Sequence, residues 1–314
     1  MMNIILAVIL DFILGDPYSF PHPVKLMGNI ISREEKIARE ITNSKKGLKL
    51  LGLIIVLINI FLGFVIPYLL LNSIKQYNIL YSILNIYLIY TCVAARSLHY
   101  EGNKVKEALL KGIEEGRHRL SYIVGRDTTQ LEEEEIIKAT VETVAENTSD
   151  GVIAPLFYIF LLGAPGGLTY KFVNTMDSML GYIDDKYIDI GYFPAKVDDI
   201  FNYIPARLTA FLMILSSIGR FDVKQGKRIL LRDRKNHKSP NSGYPESSVA
   251  GLLGIKLGGD NFYHGVLVKK PTIGDDINKI NFNHIDNSIE IMYRSEILLM
   301  IIYILTVAIR NYIC

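Results

Sequence analysis

Two long stretches of this chain carry no charge at all, one from Leu50 to Ile74 and the other from Gln76 to Ala95. A helix that crosses a bilayer needs ~20 mostly apolar residues, and each stretch is long enough. Neither has the polar face that a helix on the surface of a soluble domain would show. Asn72, Ser73, Lys75, Gln76 and Asn78 form a short polar connection between them. The pattern therefore predicts a helical membrane hairpin over 50–95, and Pro67 is tolerable within it. Other apolar runs are weaker. Met1 to Leu10 is short, lacks a basic leader and runs directly into Asp11, so it does not read as a cleaved signal peptide. Gly151 to Tyr170 is uncharged but holds Pro155, Gly163, Pro165, Gly166 and Gly167. Leu208–Gly219 and Ile297–Ile309 are short between charges. These runs are expected to be re-entrant, interfacial or tilted helices, or spans whose end charges snorkel.

The polar stretches between them set orientation and architecture. Arg33 to Lys49 carries six Lys or Arg and Arg96 to Asp150 carries eight, while the hairpin connection has only Lys75. By the positive-inside rule both large polar flanks face the cytoplasm. From Ser97 to Asp150 the chain reads as helices broken at Gly116 and at Gly125-Arg-Asp127. Thr128 or Thr129 is the expected cap of the next helix, with Glu132 to Glu135 in its acid-favouring first turn. Strand signals are thin. The predicted fold is mostly α, a polytopic integral membrane protein with a helical membrane hairpin, cytoplasm-facing polar helices and re-entrant segments. It is organised as one membrane-embedded domain over 1–314, with an N-terminal motif segment (1–32), the hairpin (50–95), a polar catalytic region with broken apolar helices (96–263) and a C-terminal apolar helix (290–313).

Composition adds little to this picture but excludes some functions. Hydrophobic residues make up 50% and the formal net charge is +2, so no strong overall field favours nucleic acid. Trp is absent, leaving 19 Tyr to serve as interfacial anchors. The two cysteines, Cys92 in an apolar run and Cys314 at the end, suit neither a metal site nor a structural disulfide.

Several polar constellations sit at the borders of the apolar runs. Glu142, Glu146 and Asp150 recur at i, i+4, i+8, so a continuous helix would stack three carboxylates on one side. Such repulsion is relieved by a divalent metal, an ammonium group or an arginine; a solvated acidic face is the plain alternative. Asn174, Asp177 and Ser178 share a second helical face, and Asp198, Asp199 and Asn202 precede Pro205-Ala-Arg207. Oxygen ligands of this kind suit Mg²⁺, although capping and turn roles account for any one of them alone. Pro on both sides of His22 presents its ring from a rigid loop. Arg126 either pairs with the adjacent Asp127 or offers a planar fork to a phosphate. The eight Lys or Arg from Arg220 to Lys238 read as a membrane-surface anchor. Ser239-Pro-Asn241 then begins a turn-rich loop whose amides could cradle an anion. Neither a P-loop nor a Rossmann fingerprint occurs.

Taken in order, these motifs resemble the CobD/CbiB family of cobalamin biosynthesis. The resemblance is carried by Leu14-Gly-Asp-Pro17, Pro21-His-Pro-Val24 with Met27-Gly28, Val124-Gly-Arg-Asp-Thr128, Glu142-Thr-Val-Ala-Glu-Asn-Thr-Ser-Asp-Gly151 and Ala154-Pro155. It continues through Asn174-Thr-Met-Asp-Ser178 with Gly181, Asp198-Asp199, Pro205-Ala-Arg207 and Ser239-Pro-Asn241, from about Leu10 to Tyr263. It implies adenosylcobinamide-phosphate synthase, a multi-pass cell-membrane enzyme that joins aminopropanol, commonly as its O-phosphate, to a propionate carboxylate of adenosylcobyric acid. That is an ATP-dependent amide synthesis with Mg²⁺. On this reading His22, Glu142, Glu146 and Asp150 are catalytic candidates. Arg126, Asp127, Asn174, Asp177, Arg207, Ser239 and Asn241 bind nucleotide or phosphate, and Glu146, Asp150, Asp177, Asp198 and Asp199 hold the metal. The active site faces the cytoplasm, and the partners are the corrinoid, the aminopropanol O-phosphate and membrane lipid, with a second copy or other late corrinoid enzymes as the protein partners to consider and no nucleic acid. Lys196 departs from the family pattern, which has Arg there; Lys keeps the charge and loses the bidentate fork. A non-catalytic membrane sensor or a transporter related to the family is the alternative.

Overall fold

In the computed structural model, which describes residues 1–16, 21–182, 184–263 and 266–313, the chain is a mostly α, polytopic membrane protein. Four helical runs are long and apolar enough to cross a membrane: Lys45–Ser73, Asn78–Lys111, Glu133–Leu180 and Asn283–Ile313. Pro17 of the N-terminal motif and Cys314 lie outside the described residues. The chain forms two compact units, each made of two separate stretches of sequence.

The first unit comprises Met1–Ala94 and Ala154–Tyr203. It contains α1 (Met2–Leu14), α2 (Pro23–Ile41), α3 (Lys45–Ser73), α4 (Asn78–Tyr90), α8 (Ala154–Leu180) and α9 (Tyr192–Phe201). The polar connection after α3 ends the first span as expected. The second helix of the hairpin is shorter than its uncharged stretch, since α4 stops at Tyr90 and a turn precedes the next helix. The long helix α3 packs closely on α8, and glycine permits it. A Cβ on Gly63 would come within 2.9 Å of the Thr169 backbone. Nearer its start, a Cβ on Gly52 would land 2.1 Å from the Ile190 carbonyl oxygen. The proline- and glycine-rich run does not re-enter as an irregular loop. It continues as helix α8 with a break at Gly163, whose φ of 69° suits glycine and allows Pro165 to start the next turns.

The second unit comprises Ala95–Ile153 and Ile204–Cys314. Its elements are α5 (Ala95–Lys111), α6 (Ile113–Leu120), α7 (Glu133–Asn147), a π-helical turn (Thr148–Ile153), α10 (Tyr203–Ser216), α11 (Val223–Asp233), α12 (Gly243–Leu253) and α13 (Asn283–Ile313). Two small antiparallel pairs complete it: β1 (Leu257–Gly258) with β4 (Thr272–Ile273), and β2 (Asn261–Tyr263) with β3 (Val266–Val268). Two expectations are corrected here. The cap of α7 is Glu132 in a reciprocal capping box with Glu135, not Thr128 or Thr129; Thr129 is taken by Asp127, whose carboxylate accepts from its amide at 3.0 Å and its hydroxyl at 2.7 Å. The run 297–309 is the end of a 31-residue helix, long enough to cross. Its inner charge Arg294 is satisfied by Glu290 at 2.8 Å and the Ser216 carbonyl at 3.1 Å. In the basic stretch 220–238, three arginines are paired with acids of the same unit. Arg228 and Arg232 both grip Asp275, Arg232 also holds Asp233, and Arg220 clasps Glu290.

Candidate active-site clusters

In the first unit, sequence-distant acids and amides gather around α9. Asp198 is buried and accepts from Asn202 Nδ2 at 3.0 Å, while the Tyr170 hydroxyl holds Asn202 Oδ1 at 2.8 Å. Burial first, and the Asp177 carboxylate second, push the Asp198 carboxyl up to about 7; Asn202 and Asn174 oppose the shift and Asp199 adds to it. Asp199 lies 3.5 Å from Lys196. Gly181 leaves room for the Asp177 side chain, since a Cβ there would fall 2.1 Å from Asp177 Oδ1. Thus Asn174, Asp177, Asp198 and Asp199 come together. Among the described residues no group of three or more His, Cys, Asp or Glu is arranged to hold a metal. Two close carboxylates, one of them strained by burial and repulsion, still fit Mg²⁺, which takes one or two protein carboxylates and completes its shell with phosphate and water.

His22 has a different surrounding. It is the N-cap of α2: its Nδ1 accepts from the Val24 amide at 3.3 Å, and its Nε2 lies 3.3 Å from Asp16. Both ring nitrogens are engaged in holding the chain entry. The Tyr90 hydroxyl donates to the Gly15 carbonyl and the Tyr87 hydroxyl to that of Pro21 at 2.8 Å, anchoring the same segment. Beside it lies a cavity of about 360 Å³ walled by Met27, Gly63, Ile66, Pro67 and Phe172, with His22 at its margin. That lining is apolar and offers no grip for a triphosphate.

The second unit holds a denser cluster. Glu142 and Glu146 share the inner face of α7, as their spacing predicts; Asp150 follows in the π-helical turn, where the wider winding breaks the i, i+4, i+8 stack. Arg126 pairs with Glu142, whose other oxygen accepts from the Gly258 amide at 2.7 Å. Glu142, sixteen residues on, is thus a partner of Arg126. Glu146 accepts from the Ser242 hydroxyl at 2.8 Å. The Ser239 hydroxyl accepts from the amides of Asn241 and Ser242 at 3.2 and 3.4 Å, so this loop spends those donors on itself rather than opening them to an anion. Arg207 donates to Asn241 Oδ1 at 3.2 Å and lies 4.3 Å over the Tyr244 ring.

Two members of this cluster were not among the sequence candidates. His237 accepts from the Ser239 amide on Nδ1 at 3.0 Å, and its Nε2 faces Glu246 at 3.8 Å. Glu246 is buried in the first turn of α12. Burial, then the carboxylates of Glu146 and Glu142, hold its carboxyl well above the usual carboxylate range against the pull of Lys270 and Arg126. Burial chiefly, helped by Lys270, keeps the His237 ring below the usual histidine range, against the pull of Glu146 and Glu142. One signal was legible: Glu246 is the single charge between Lys238 and Lys256, and a lone charge in such a run marks a buried polar site. His237 was hidden inside a basic stretch.

A model of the family described as CobD/Cbib protein matches residues 4–292. The chain belongs to that family. Among curated CobD/Cbib relatives, the cobalamin biosynthesis protein CobD of Clostridium tetani (strain Massachusetts / E88) is 53% identical over 313 residues, 99% of each chain. That of Clostridium perfringens (strain 13 / Type A) is 49% identical over 91% of each, and that of Listeria monocytogenes serotype 4b (strain F2365) is 47% identical over 95% of each. No solved structure matches. The family match reaches well past Tyr263, where the motif resemblance faded, and ends within the first third of α13.

Proposed function

We propose that this CobD/Cbib family member is an ATP-dependent amide synthase of cobalamin assembly. It joins aminopropanol, or its O-phosphate, to the propionate carboxylate of adenosylcobyric acid. The pathway assignment draws on the relatives named for cobalamin biosynthesis. The observation that favours an enzyme over a sensor is the second unit's buried cluster, in which Arg126, Lys270, Glu142, Glu146, His237 and Glu246 oppose charges at close range. Burying Glu142 and Glu246 among further charges costs stability and is characteristic of sites that do chemistry.

A carboxylate does not acylate an amine directly, because an oxide would have to leave. In the proposed reaction a carboxylate oxygen takes the γ-phosphoryl group of ATP, releasing ADP. The amine nitrogen then attacks the acyl carbon, the C–N bond forms, the C–O bond breaks and phosphate leaves. The amine proton passes to a side-chain carboxylate. Mg²⁺, when bound, neutralises charge on the phosphoryl oxygens, and Asp177, Asp198 and Asp199 are the residues assigned to hold it. Arg126 and Arg207 are assigned to phosphate groups, where a planar guanidinium can grip two oxygens. Glu142 orients Arg126. His22, whose nitrogens both serve the entry to α2, is assigned a positioning role. The working face is assigned to the cytoplasm from the basic flanks at 33–49 and 96–150.

The test is direct. Purified full-length protein in lipid nanodiscs, given adenosylcobyric acid, Mg-ATP and either aminopropanol or its O-phosphate, should yield the amide and ADP in equal amounts by mass spectrometry. No amide with either amine overturns the assignment.

A further inference from the structure

The second unit holds a buried acceptor that nothing described there satisfies. The side chain of Glu246 is 6% exposed, yet no described residue donates a hydrogen bond to its carboxyl group. Its one ionic neighbour is His237 Nε2 at 3.8 Å, beyond hydrogen-bond reach. The carboxylates around it are otherwise engaged: Glu142 by Arg126 and the Gly258 amide, and one oxygen of Glu146 by Ser242. The Ser239 amide donates to Nδ1 of His237, so the neutral ring carries its proton on Nε2. His237 is thereby a donor toward Glu246, not an acceptor.

We infer that Glu246 and the unengaged oxygen of Glu146 seat a primary ammonium group, the protonated form of the amine substrate. An ammonium suits this pair of acceptors, since it offers three N–H donors to separate oxygens. The groups facing the seat are Glu142, Glu146, His237, Arg126 and Lys270. Arg126 and Lys270 keep its net charge low, so that a single positive charge balances it. Part of the seat reaches solvent, since His237 and Arg126 are 20% and 14% exposed in their side chains. The inference rests on the amide-synthase reading for the role of the amine and on the cluster alone for its binding.

The experiment measures binding without turnover. Full-length protein in nanodiscs is titrated with 1-amino-2-propanol and with 1,2-propanediol, which keeps the shape and lacks the charge. The amine should bind and the diol should not. Glu246→Gln should weaken the amine by roughly tenfold to a hundredfold, the loss expected for a charge-assisted hydrogen bond, with thermal stability unchanged or raised. If Glu246→Gln fails to fold, Glu146→Gln is read instead, with the same loss expected. Equal binding of amine and diol, or unchanged amine affinity in the folded variant, overturns the seat. In turnover, Glu246→Gln should raise KM for the amine and leave KM for ATP alone. Amide formation with an unchanged amine KM would sink the seat and leave the synthase reading standing. Amine binding lost in the variant, with no amide made by the wild type, would do the reverse.

Discussion

Asp198→Asn should stabilise the first unit, and the gain should depend on pH in a way that its surroundings dictate. The Asp198 carboxyl rises from an ordinary 3.8 to about 7, first through burial and then through Asp177. The folded state therefore holds the proton more tightly than the unfolded chain. Below pH 3.8 both states are protonated and the group costs nothing. Between 3.8 and 7 the unfolded chain ionises first, so stability falls by about 1.4 kcal/mol per pH unit. Above 7 the loss levels off at about 4 kcal/mol. Asparagine cannot ionise and can still accept from Asn202, so it removes the whole penalty. The gain should be about 4 kcal/mol at pH 8, an upward shift in melting temperature of about 10 °C for a unit of this size, and less than half of that at pH 5. Thermal melts in nanodiscs at the two pH values, followed by tyrosine near-UV circular dichroism, would read it. A variant that melts at or below the wild type at pH 8, or gains equally at both pH values, refutes the reasoning.

Other consequences are simpler to state. Millimolar Mg²⁺ should raise the wild-type melting temperature at pH 8 and lose most of that effect in Asp198→Asn, because a ligand stabilises only the state that binds it. His22→Ala removes the cap of α2 and should cost about 1 kcal/mol, seen as faster hydrogen exchange confined to the first turn after Pro23. Gly251→Leu forces a side chain where a Cβ alone would meet Gly226 Cα at 2.8 Å; overpacking should destabilise the contact of α11 with α12 by about 1–3 kcal/mol in denaturant titrations. Asp275→Ala breaks two ion pairs whose arginines are about half exposed, so solvent screening should hold its cost to about 1 kcal/mol or less in the same titration.

Much of the fold was legible because membrane helices are written in charge-free stretches. The first span, the polar connection after Ser73 and the scarcity of strand all followed from that reading. The last crossing escaped it because a charge inside it is neutralised by partners, one a helical turn away and one distant in sequence. Arg294 would interrupt a span read as a string, but Glu290 and the Ser216 carbonyl satisfy it. The start of α7 was misplaced because glutamate is a less usual cap than threonine, and Glu132 works here through reciprocity with Glu135. In the candidate site, Glu142 and Glu146 were visible from helical spacing. Their coupling to Glu246 was not, because it depends on a contact across about a hundred residues that no local period records.

The geometry of α2 changes what the apolar hairpin means. At 1.5 Å per residue the 29-residue α3 is ~43 Å long, close to the full thickness of a bilayer with its headgroups. Asn59 stands at its midpoint and is buried, donating to Glu34 of α2 at 2.6 Å and to the Ile55 carbonyl at 3.0 Å. A carboxylate at that depth is costly unless it faces protein or a watered cavity. The helix that carries it also bears Arg33, Glu35, Lys36, Arg39 and Glu40, with Arg39 tied to Glu35 at 2.9 Å and to the Lys186 carbonyl at 2.8 Å. Such a helix cannot lie against lipid on every side. The membrane face of the first unit is therefore the opposite side of α3, where Leu57, Phe61 and Leu69 are exposed. Its inner side carries polar groups from the interface toward the middle of the bilayer. The apolar helix α3 thus sets one buried amide, Asn59, against the acidic side of α2, while the rest of its buried side is apolar.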